Sequence, residues 1–176
     1  MSSPFGCSRR EDDDMYSVRV SLPRVYRLRP ETKEVGMRPN REQMLMEVAH
    51  VVARRGTCSR LQVGAVVSRN GRILVTGYNG APAGMPHCKH PDDQEPCHEA
   101  VHAEENCIAY AARYGISLEG GEMDTTDSPC YLCSRLIINA GIRKVRYQRL
   151  YRVTEGLKLL SAAGVEHWQF AGMFPA

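Results

Sequence analysis

Residues 63–76 read Val63-Gly-Ala-Val-Val-Ser-Arg-Asn70-Gly71-Arg-Ile-Leu-Val-Thr76, with two β-rich runs on either side of Asn-Gly. Asn-Gly between two such runs is the strongest short-range signal for a β-hairpin. Upstream, Asn40 and Gln43 have the spacing of a helix capping box, and apolar residues at helical spacing follow them. The sequence therefore predicts a helix that starts near residue 40, followed by a hairpin.

Helical and strand patterns alternate after the hairpin. One of these helices has Ser128 at its expected N-cap and Pro129 at its first helical position. The alternation indicates a mixed sheet with helices packed on its faces, which is an α/β fold. We predict strands at about 122–126, 143–148 and 165–170, and helices at about 102–113, 128–140 and 153–162.

The chain of 176 residues suits one globular domain with a tail, and its 43% hydrophobic content is enough for a core. Residues 1–38 combine prolines, an acidic run and scattered arginines without a regular period. We expect them to form an N-terminal extension that is at best partly ordered. Residues 39–176 are expected to form the functional domain.

Charge and hydropathy restrict the class of protein. No segment approaches the roughly 18 apolar residues of a membrane span, and the N-terminus has no secretory pattern, so we expect a cytoplasmic protein. The net charge of +3 is too small to indicate a nucleic-acid partner by itself. The arginines at 143, 146, 149 and 152 could supply charge to a polynucleotide groove, but few aromatic residues lie among them, which does not favour nucleic acid.

Two motifs carry chemistry, His102-Ala103-Glu104 and Pro129-Cys130-Tyr-Leu-Cys133. Cys130 and Cys133 share one helical face near a helix N-terminus, where the dipole favours thiolates. Zinc accepts two thiolates and an imidazole, and three protein ligands leave a fourth position for water. Glu104, two residues from His102, can face that position without being a ligand. His-x-Glu followed by Pro-Cys-x-x-Cys is typical of zinc deaminases.

Each motif alone is weak. A Cys-x-x-Cys pair is also typical of redox pairs and of half of a structural zinc site, and His-x-Glu alone carries almost no information. Their order, with each motif opening a predicted helix after a hairpin, favours a catalytic site. We therefore predict His102, Cys130 and Cys133 as zinc ligands and Glu104 as the general acid and base.

Beyond these motifs, the sequence resembles the cytidine deaminase superfamily and, within it, the deoxycytidylate (dCMP) deaminases. The resemblance covers roughly residues 41–170, and its glycine-rich Gly-Tyr-Asn-Gly segment with the following His-Cys is more specific than the zinc motifs. The segments that carry it are Cys58-Ser-Arg-Leu-Gln-Val-Gly-Ala-Val-Val, Gly77-Tyr-Asn-Gly-Ala-Pro-Ala-Gly84, His87-Cys88, Val101-His-Ala-Glu-Glu-Asn106, Ser128-Pro-Cys-Tyr-Leu-Cys133 and Leu136-Ile-Ile-Asn-Ala-Gly-Ile142.

The resemblance implies a three-layer α/β/α fold around a five-stranded mixed sheet. It implies zinc-dependent hydrolysis of dCMP to dUMP and ammonia, a homo-oligomer that is often a hexamer, and a dCTP or dTTP effector. Asn79 resembles the residue that contacts the sugar hydroxyl, and Tyr151 with Arg152 resembles a phosphate-contacting pair, although Arg152 could equally be a solvated surface cation. Ala103 and Ser128 are implied as further substrate contacts.

A second metal site is expected in the loop between residues 79 and 101. The resemblance implies that Cys58 and Cys88 hold a structural zinc. Cys97 is a natural third ligand, with His90 or alternatively His98 as the fourth. A metal would pin an otherwise costly loop, whereas the alternative is a set of loop thiols and solvent-facing histidines.

Two carboxylates depart from the family pattern. Asp124 stands where a tyrosine is usual, and Asp127 stands near the expected base pocket where relatives have an uncharged side chain. A carboxylate there must be solvated or must meet a donor, and it could read an extra polar group on the ring. Other substrates therefore stay open: a modified cytosine nucleotide, a related pyrimidine, or a base in RNA. A non-catalytic, zinc-stabilised binding module is the alternative of another class, and the presence of Glu104 argues against it.

Overall fold

Helices and strands alternate along residues 38–89 and 97–172, the part of the chain that the computed structural model describes. The predicted extension lies outside this part, except for residue 38. The helices are α1 (Arg41–Ala53), α2 (Ala103–Tyr114), α3 (Tyr131–Asn139) and α4 (Glu155–Ala162). The strands are β1 (Gly64–Arg69), β2 (Arg72–Tyr78), β3 (Glu122–Asp127), β4 (Lys144–Arg149) and β5 (Glu166–Gln169).

The helix and the hairpin predicted at the start of the domain are confirmed. Asn40 caps α1, with its side chain accepting from the Gln43 N–H, and the Gln43 side chain accepts in return from the Asn40 N–H. Asn70 and Gly71 form the turn between β1 and β2 with φ angles of 52° and 74°. Asparagine tolerates this left-handed backbone better than most residues and glycine adopts it freely, so the local sequence determines the turn.

The five strands form one mixed sheet in the order β2-β1-β3-β4-β5. β1 pairs antiparallel with both β2 and β3, whereas β3, β4 and β5 are parallel to one another. The predicted five-stranded mixed sheet is thus confirmed. Because β3 and β4 are parallel, their carboxyl ends meet at one edge, where Asp127 and Arg149 are paired in register.

Helices cover both faces of this sheet. Leu45, Met46 and Ala49 of α1 pack with Val66 on one face. Ala65 and Val67, which alternate with Val66 along β1, belong to the larger core on the other face. That core also contains Ala103, Cys107 and Ala111 of α2, Ile137 of α3, and Leu157 and Leu160 of α4. The sheet therefore separates two apolar cores, in agreement with the predicted three layers.

The start of α3 differs from the prediction. The helix begins at Tyr131 with Cys130 as its N-cap, so the assignment of Ser128 as the cap and Pro129 as the first helical residue is wrong. The Ser128 N–H donates to the Arg149 carbonyl (2.8 Å), and its hydroxyl accepts from the Tyr151 N–H (2.8 Å). Ser128 thus continues the contacts of the sheet, and its oxygen holds the chain beyond β4 rather than a helix end.

Arg146 is buried rather than available to a polynucleotide groove. It is 3% exposed, and its Nε and Nη2 donate to the two carboxylate oxygens of Asp124 at 2.6 and 2.9 Å. Its Nη1 donates to Glu122 at 3.0 Å, and its guanidinium lies 5.5 Å from the centre of the Trp168 ring. Asp124 is completely buried on the neighbouring strand, in register with Arg146. The departure from tyrosine at 124 is therefore matched by a buried ion pair.

Candidate active site

The two sequence motifs meet where α2 and α3 begin. His102 is the N-cap of α2, Cys130 is the N-cap of α3, and Cys133 lies three residues further on. His102 Nδ1 lies 3.3 Å from Cys133 Sγ and 3.5 Å from Cys130 Sγ. The three donor atoms all lie within 4.8 Å of one another. The chain thus brings together the three predicted zinc ligands at the N-terminal ends of two helices.

The spacing of these donors fits zinc. Tetrahedral zinc, with bonds of about 2.3 Å to sulfur and about 2.0–2.1 Å to nitrogen, separates a nitrogen and a sulfur ligand by about 3.5 Å. The two observed nitrogen–sulfur distances are close to that value. One imidazole and two thiols also leave a fourth coordination position open, which is the arrangement of catalytic rather than structural zinc sites.

The ionisation of the cluster also suits a dication. The hydrogen bond from Cys133 lowers the pKa of the Cys130 thiol to about 4, and the hydrogen bond with Cys130 raises the pKa of His102 to about 9. The same contact with Cys130 raises the pKa of Cys133, because a second thiolate beside the first is disfavoured. Bound zinc would offset that repulsion, since a coordinating thiol is deprotonated.

Close packing of α2 on β2 fixes the position of His102. A side chain at Gly77 would come within 2.4 Å of the Ala103 carbonyl, so only glycine permits this approach. Gly80 and Val101 exchange two backbone hydrogen bonds, which anchor the chain just before His102. The Glu105 carboxylate accepts from the His102 N–H at 2.9 Å and completes the start of the helix.

Glu104 is the buried carboxylate of this site. It is the second residue of α2, it is 4% exposed, and it lines the same cavity as His102 and Cys130. Burial raises the pKa of Glu104 to about 7, with smaller opposing contributions from His102 and supporting ones from Cys130 and Asp127. A carboxyl group that exchanges its proton near neutral pH is suited to general acid–base chemistry.

The cavity beside the metal donors has a volume of about 460 Å³. Of the predicted substrate contacts, it is lined by Asn79, Ala103, Asp127, Ser128 and Tyr151. Arg152 does not line it within the described part of the chain; its guanidinium lies 5.8 Å from the centre of the Tyr151 ring at the surface. The cavity is large enough for a nucleotide-sized ligand.

Two of these side chains, Asn79 and Ser128, form hydrogen bonds with backbone groups of the protein. Asn79 Oδ1 accepts from the Val63 N–H and its Nδ2 donates to the Leu61 carbonyl, both at 2.7 Å. Within residues 38–89 and 97–172 the Asn79 amide donates only to Leu61, which leaves its second N–H for a ligand. Ser128, through its contact with the Tyr151 N–H, fixes the segment that carries Tyr151. Both residues therefore shape the walls of the cavity.

Asp127 meets a donor inside the protein. Its Oδ2 accepts from Arg149 Nη2 and from the Thr126 hydroxyl, each at 2.8 Å. Asp127 is 8% exposed, so the carboxylate lies in the cavity wall rather than in open solvent. The sequence left two alternatives for Asp127, a solvated carboxylate or a carboxylate that meets a donor. The structure has the second one.

A second group of thiols lies nearby. Cys58, Cys88 and Cys97 bring their sulfur atoms within 4.8 Å of one another. Burial acts against ionisation of Cys58, but backbone hydrogen bonds from Leu61 and Arg60 lower its pKa; burial and the neighbouring thiols raise the pKa of Cys88 to about 12. Both groups of donors therefore share one property: ionisation of one thiol is favoured (Cys58 here, Cys130 in the first group), and ionisation of a neighbouring thiol is disfavoured.

The two histidines predicted for this second site have different outcomes. His90 lies outside the described residues. His98 is exposed and lines the substrate cavity, and it does not belong to the group of three sulfur atoms. Within residues 38–89 and 97–172, the second donor set therefore contains three thiols.

Several residues that line the cavity were not predicted. Arg60 and Leu61 belong to the loop before β1, while Tyr131, Leu132 and Val153 form an apolar part of the wall. Arg60 lies in a segment that carries the family resemblance, two residues after Cys58. Its positive charge there was the available signal for a cavity residue. Tyr131 and Leu132 also lie in such a segment, Ser128–Cys133, whereas Val153 lies in none and gave no signal.

The sequence of this region matches that of a known protein family. A family model described as the cytidine and deoxycytidylate deaminase zinc-binding region matches residues 39–149. The chain belongs to the cytidine and deoxycytidylate deaminase family. Membership in this zinc-binding family, together with the His102, Cys130 and Cys133 donor set, supports zinc as the cofactor of the deaminase.

Individual proteins are similar to this chain over most of the domain. ComE operon protein 2 of Bacillus subtilis (strain 168) is 38% identical over 129 residues, which cover 70% of this chain and 67% of that protein. The deoxycytidylate deaminase of Saccharomyces cerevisiae is 34% identical over 146 residues, covering 77% of this chain and 46% of the relative. The chain thus spans about half the length of the yeast protein.

A solved structure extends the comparison to the whole fold. The dCMP deaminase from the cyanophage S-TIM5, in complex with dCMP and dUMP, is 36% identical with a TM-score of 0.70, and the match covers 76% of this chain and 99% of that one. Among the described residues of this deaminase, no helix is long and apolar enough to span a bilayer.

Proposed function

We propose that this chain is a zinc-dependent deaminase that hydrolyses dCMP to dUMP and ammonia. The observation that carries the proposal is a group of one imidazole and two thiols, His102, Cys130 and Cys133, at a cavity that the buried carboxylate of Glu104 also lines. The yeast relative is named deoxycytidylate deaminase, and the cyanophage structure contains dCMP and dUMP. These names support a cytosine nucleotide as the substrate class.

The proposed chemistry follows from what each residue can hold. His102, Cys130 and Cys133 would hold zinc, which would make a water acidic enough to serve as the nucleophile for C4 of the ring. Glu104 would accept one proton from this water and pass it to ring N3 as the water oxygen bonds to C4. It would then carry the second proton of that oxygen to the amino group as the C4–N bond breaks and ammonia leaves. Burial raises the pKa of Glu104 above the ordinary value of a carboxyl group, which suits a residue that takes up and releases protons within one turnover.

The walls of the cavity would orient the nucleotide. Asn79 has one amide N–H left for the sugar hydroxyl, and Ala103 and Ser128 shape the wall beside Glu104. Tyr151 is the aromatic member of the proposed phosphate contact. A non-catalytic binding module does not explain the placement of Glu104, because a buried carboxylate without a proton-transfer role costs stability.

We expect this enzyme to require the 5′-phosphate of its substrate. The arginines next to the cavity are Arg60, which lines it, and Arg152, which lies over Tyr151. A hydrogen bond to a charged group contributes about 1.5–3 kcal/mol, so one such contact should raise kcat/KM for dCMP above that for deoxycytidine by at least about tenfold. Steady-state assays on both compounds measure this ratio.

Two variants identify the arginine responsible. Arg152→Leu should reduce the ratio if the proposed Tyr151–Arg152 pair holds the phosphate, whereas Arg60→Leu should reduce it if the cavity-lining arginine does. Equal kcat/KM values for dCMP and deoxycytidine in the wild-type protein would contradict a phosphate site altogether.

The second thiol group is proposed to hold a structural zinc. Cys58, Cys88 and Cys97 are the ligands supported by their mutual distances, with His90 as the fourth and His98 as its alternative. Because three cysteines from separate parts of the chain meet here, a metal would fix the loop that leads to His102.

Metal analysis tests this second site. The freshly purified wild-type protein should contain two zinc ions per chain, and the Cys58→Ser/Cys88→Ser double variant should contain one. A His102→Ala variant is the matched control, because it should lose the other ion. A wild-type protein with a single zinc per chain would remove the structural site.

We propose four further features: the domain bounds and the location come from the sequence pattern, and the effector and the assembly come from the family resemblance. We place the deaminase domain at residues 39–176, in the cytoplasm, with a dCTP or dTTP effector and a homo-oligomeric assembly such as a hexamer. Exposed apolar side chains near the cavity support an assembly, because a partner subunit would cover them. They include Tyr131 (49% exposed), Leu132 (58%) and Val153 (42%).

A further inference from the structure

The end of β3 carries a carboxylate that the proposed reaction does not use. Asp127 is the last residue of β3, and Arg149 is its register partner at the end of β4. Arg149 Nη2 and the Thr126 hydroxyl both donate to Asp127 Oδ2, each at 2.8 Å. Two donors on different strands therefore fix the orientation of the carboxylate and balance its charge.

The other carboxylate oxygen has no such partner. Within the described residues, Asp127 Oδ1 makes no hydrogen bond, and it is not among the buried polar atoms that lack one. Asp127 lines the same cavity as Glu104 and Asn79. A bound ligand can therefore reach an oriented acceptor whose position is set by the protein before binding.

The position of Asp127 in the cavity limits which part of a substrate it can meet. Asp127 precedes Cys130 by three residues, so it lies on the wall that leads to the metal donors and hence to C4 of the ring. Glu104, on the separate wall formed by α2, serves N3 and the amino group in the proposed reaction. If Glu104 faces N3 and the amino group as the proposed reaction requires, the C5 edge is the part of the ring that a cavity residue on the β3 side would meet.

We infer that Asp127 is a specificity-determining residue that accepts a hydrogen bond from a donor group on C5 of the cytosine ring. The preferred substrates are therefore cytosine nucleotides with a hydroxyl on that side, such as 5-hydroxymethyl-dCMP. A methyl group at C5 fills similar space without a donor and leaves the oriented oxygen of Asp127 unpaired. This inference rests on the proposed deaminase function and narrows its substrate class.

The test compares 5-hydroxymethyl-dCMP with 5-methyl-dCMP on the zinc-loaded, full-length protein. The wild-type ratio of their kcat/KM values should favour the hydroxymethyl compound by about 10- to 100-fold, the range expected when a buried acceptor is left unpaired by the poorer substrate. In Asp127→Leu this ratio should fall at least about tenfold. Plain dCMP is measured in parallel with both proteins.

Two further variants keep the test independent of folding. Asp127→Asn keeps the size of the side chain and an oxygen for Arg149, so it should lower the ratio by less than Asp127→Leu does. Glu119→Leu is the matched control, because Glu119 is also paired with an arginine, Arg143, at 3.6 Å, but is 68% exposed. The control should keep the wild-type ratio.

Each result has a distinct meaning. An unchanged ratio in Asp127→Leu contradicts the inference and leaves the proposed deaminase function intact. Equal losses on all three nucleotides also contradict it, because they would indicate a contact with the amino group that every cytosine carries. A wild-type protein that deaminates none of the three would instead refute the proposed function itself.

Discussion

Glu104→Gln should retain zinc and the fold but lose about 10⁴-fold in kcat for dCMP. General acid–base groups contribute roughly 10²–10⁴-fold, and Glu104 is proposed to serve several proton transfers in one turnover, so the upper end applies. Glutamine has nearly the same volume as glutamate, and the buried site should therefore accept it with little loss of stability. Zinc content by metal analysis and kcat by ammonia release give the two required readouts.

The neighbouring carboxylate provides the matched control. Glu105 accepts from the His102 N–H, and glutamine is equally able to accept at this position of a capping box. Glu105→Gln should therefore keep most of the activity and the zinc. A Glu104→Gln protein that keeps more than about a tenth of the wild-type turnover would be inconsistent with the assigned role, since that loss lies below the range for a general acid or base.

Arg146→Leu should lower the free energy of unfolding by about 3–5 kcal/mol. Arg146 supplies both hydrogen bonds to the carboxylate of Asp124, which has no exposure to solvent. Removal of the guanidinium leaves this carboxylate buried without its partner, which costs far more than the net contribution of the intact pair. Urea denaturation followed by circular dichroism measures the change.

Two comparisons separate this effect from the loss of an ordinary ion pair. The Asp124→Leu/Arg146→Leu double variant removes both charges and should recover most of the lost stability. Arg143→Leu breaks an exposed pair with Glu119, whose side chains are 74% and 68% exposed, and should cost at most about 1 kcal/mol. A cost for Arg146→Leu no greater than that of Arg143→Leu would contradict the importance of the buried pair.

Local signals in the sequence determine the elements that were predicted correctly. The capping box of Asn40 and Gln43 and the turn at Asn70 and Gly71 act within a few residues, so they are readable without a structure. The start of α3 was misplaced because Ser128 forms its hydrogen bonds with Arg149 at the end of β4 and with Tyr151 just after it, more than 20 positions away. A capping pattern carries no information about such a competing partner.

The candidate active site shows the same difference between local signals and contacts of residues that are far apart in the sequence. The spacing of the zinc motifs predicts His102, Cys130 and Cys133 as one donor group and Glu104 as the carboxylate beside it. The fold brings the three donors together, and Glu104 lines the same cavity as His102 and Cys130. The pairing of Asp127 with Arg149 could not be predicted, because it depends on the parallel register of β3 and β4. For the same reason Arg146 was considered a surface charge although it is buried against Asp124.

Conversion of dCMP to dUMP by the purified, zinc-containing chain tests the central claim most directly. Chromatography of the products and an ammonia assay should detect dUMP and ammonia in equal amounts, and the reaction should stop when zinc is removed from the His102, Cys130 and Cys133 site and resume when it is restored. A protein with zinc bound at this site that forms neither dUMP nor ammonia from dCMP would contradict the account.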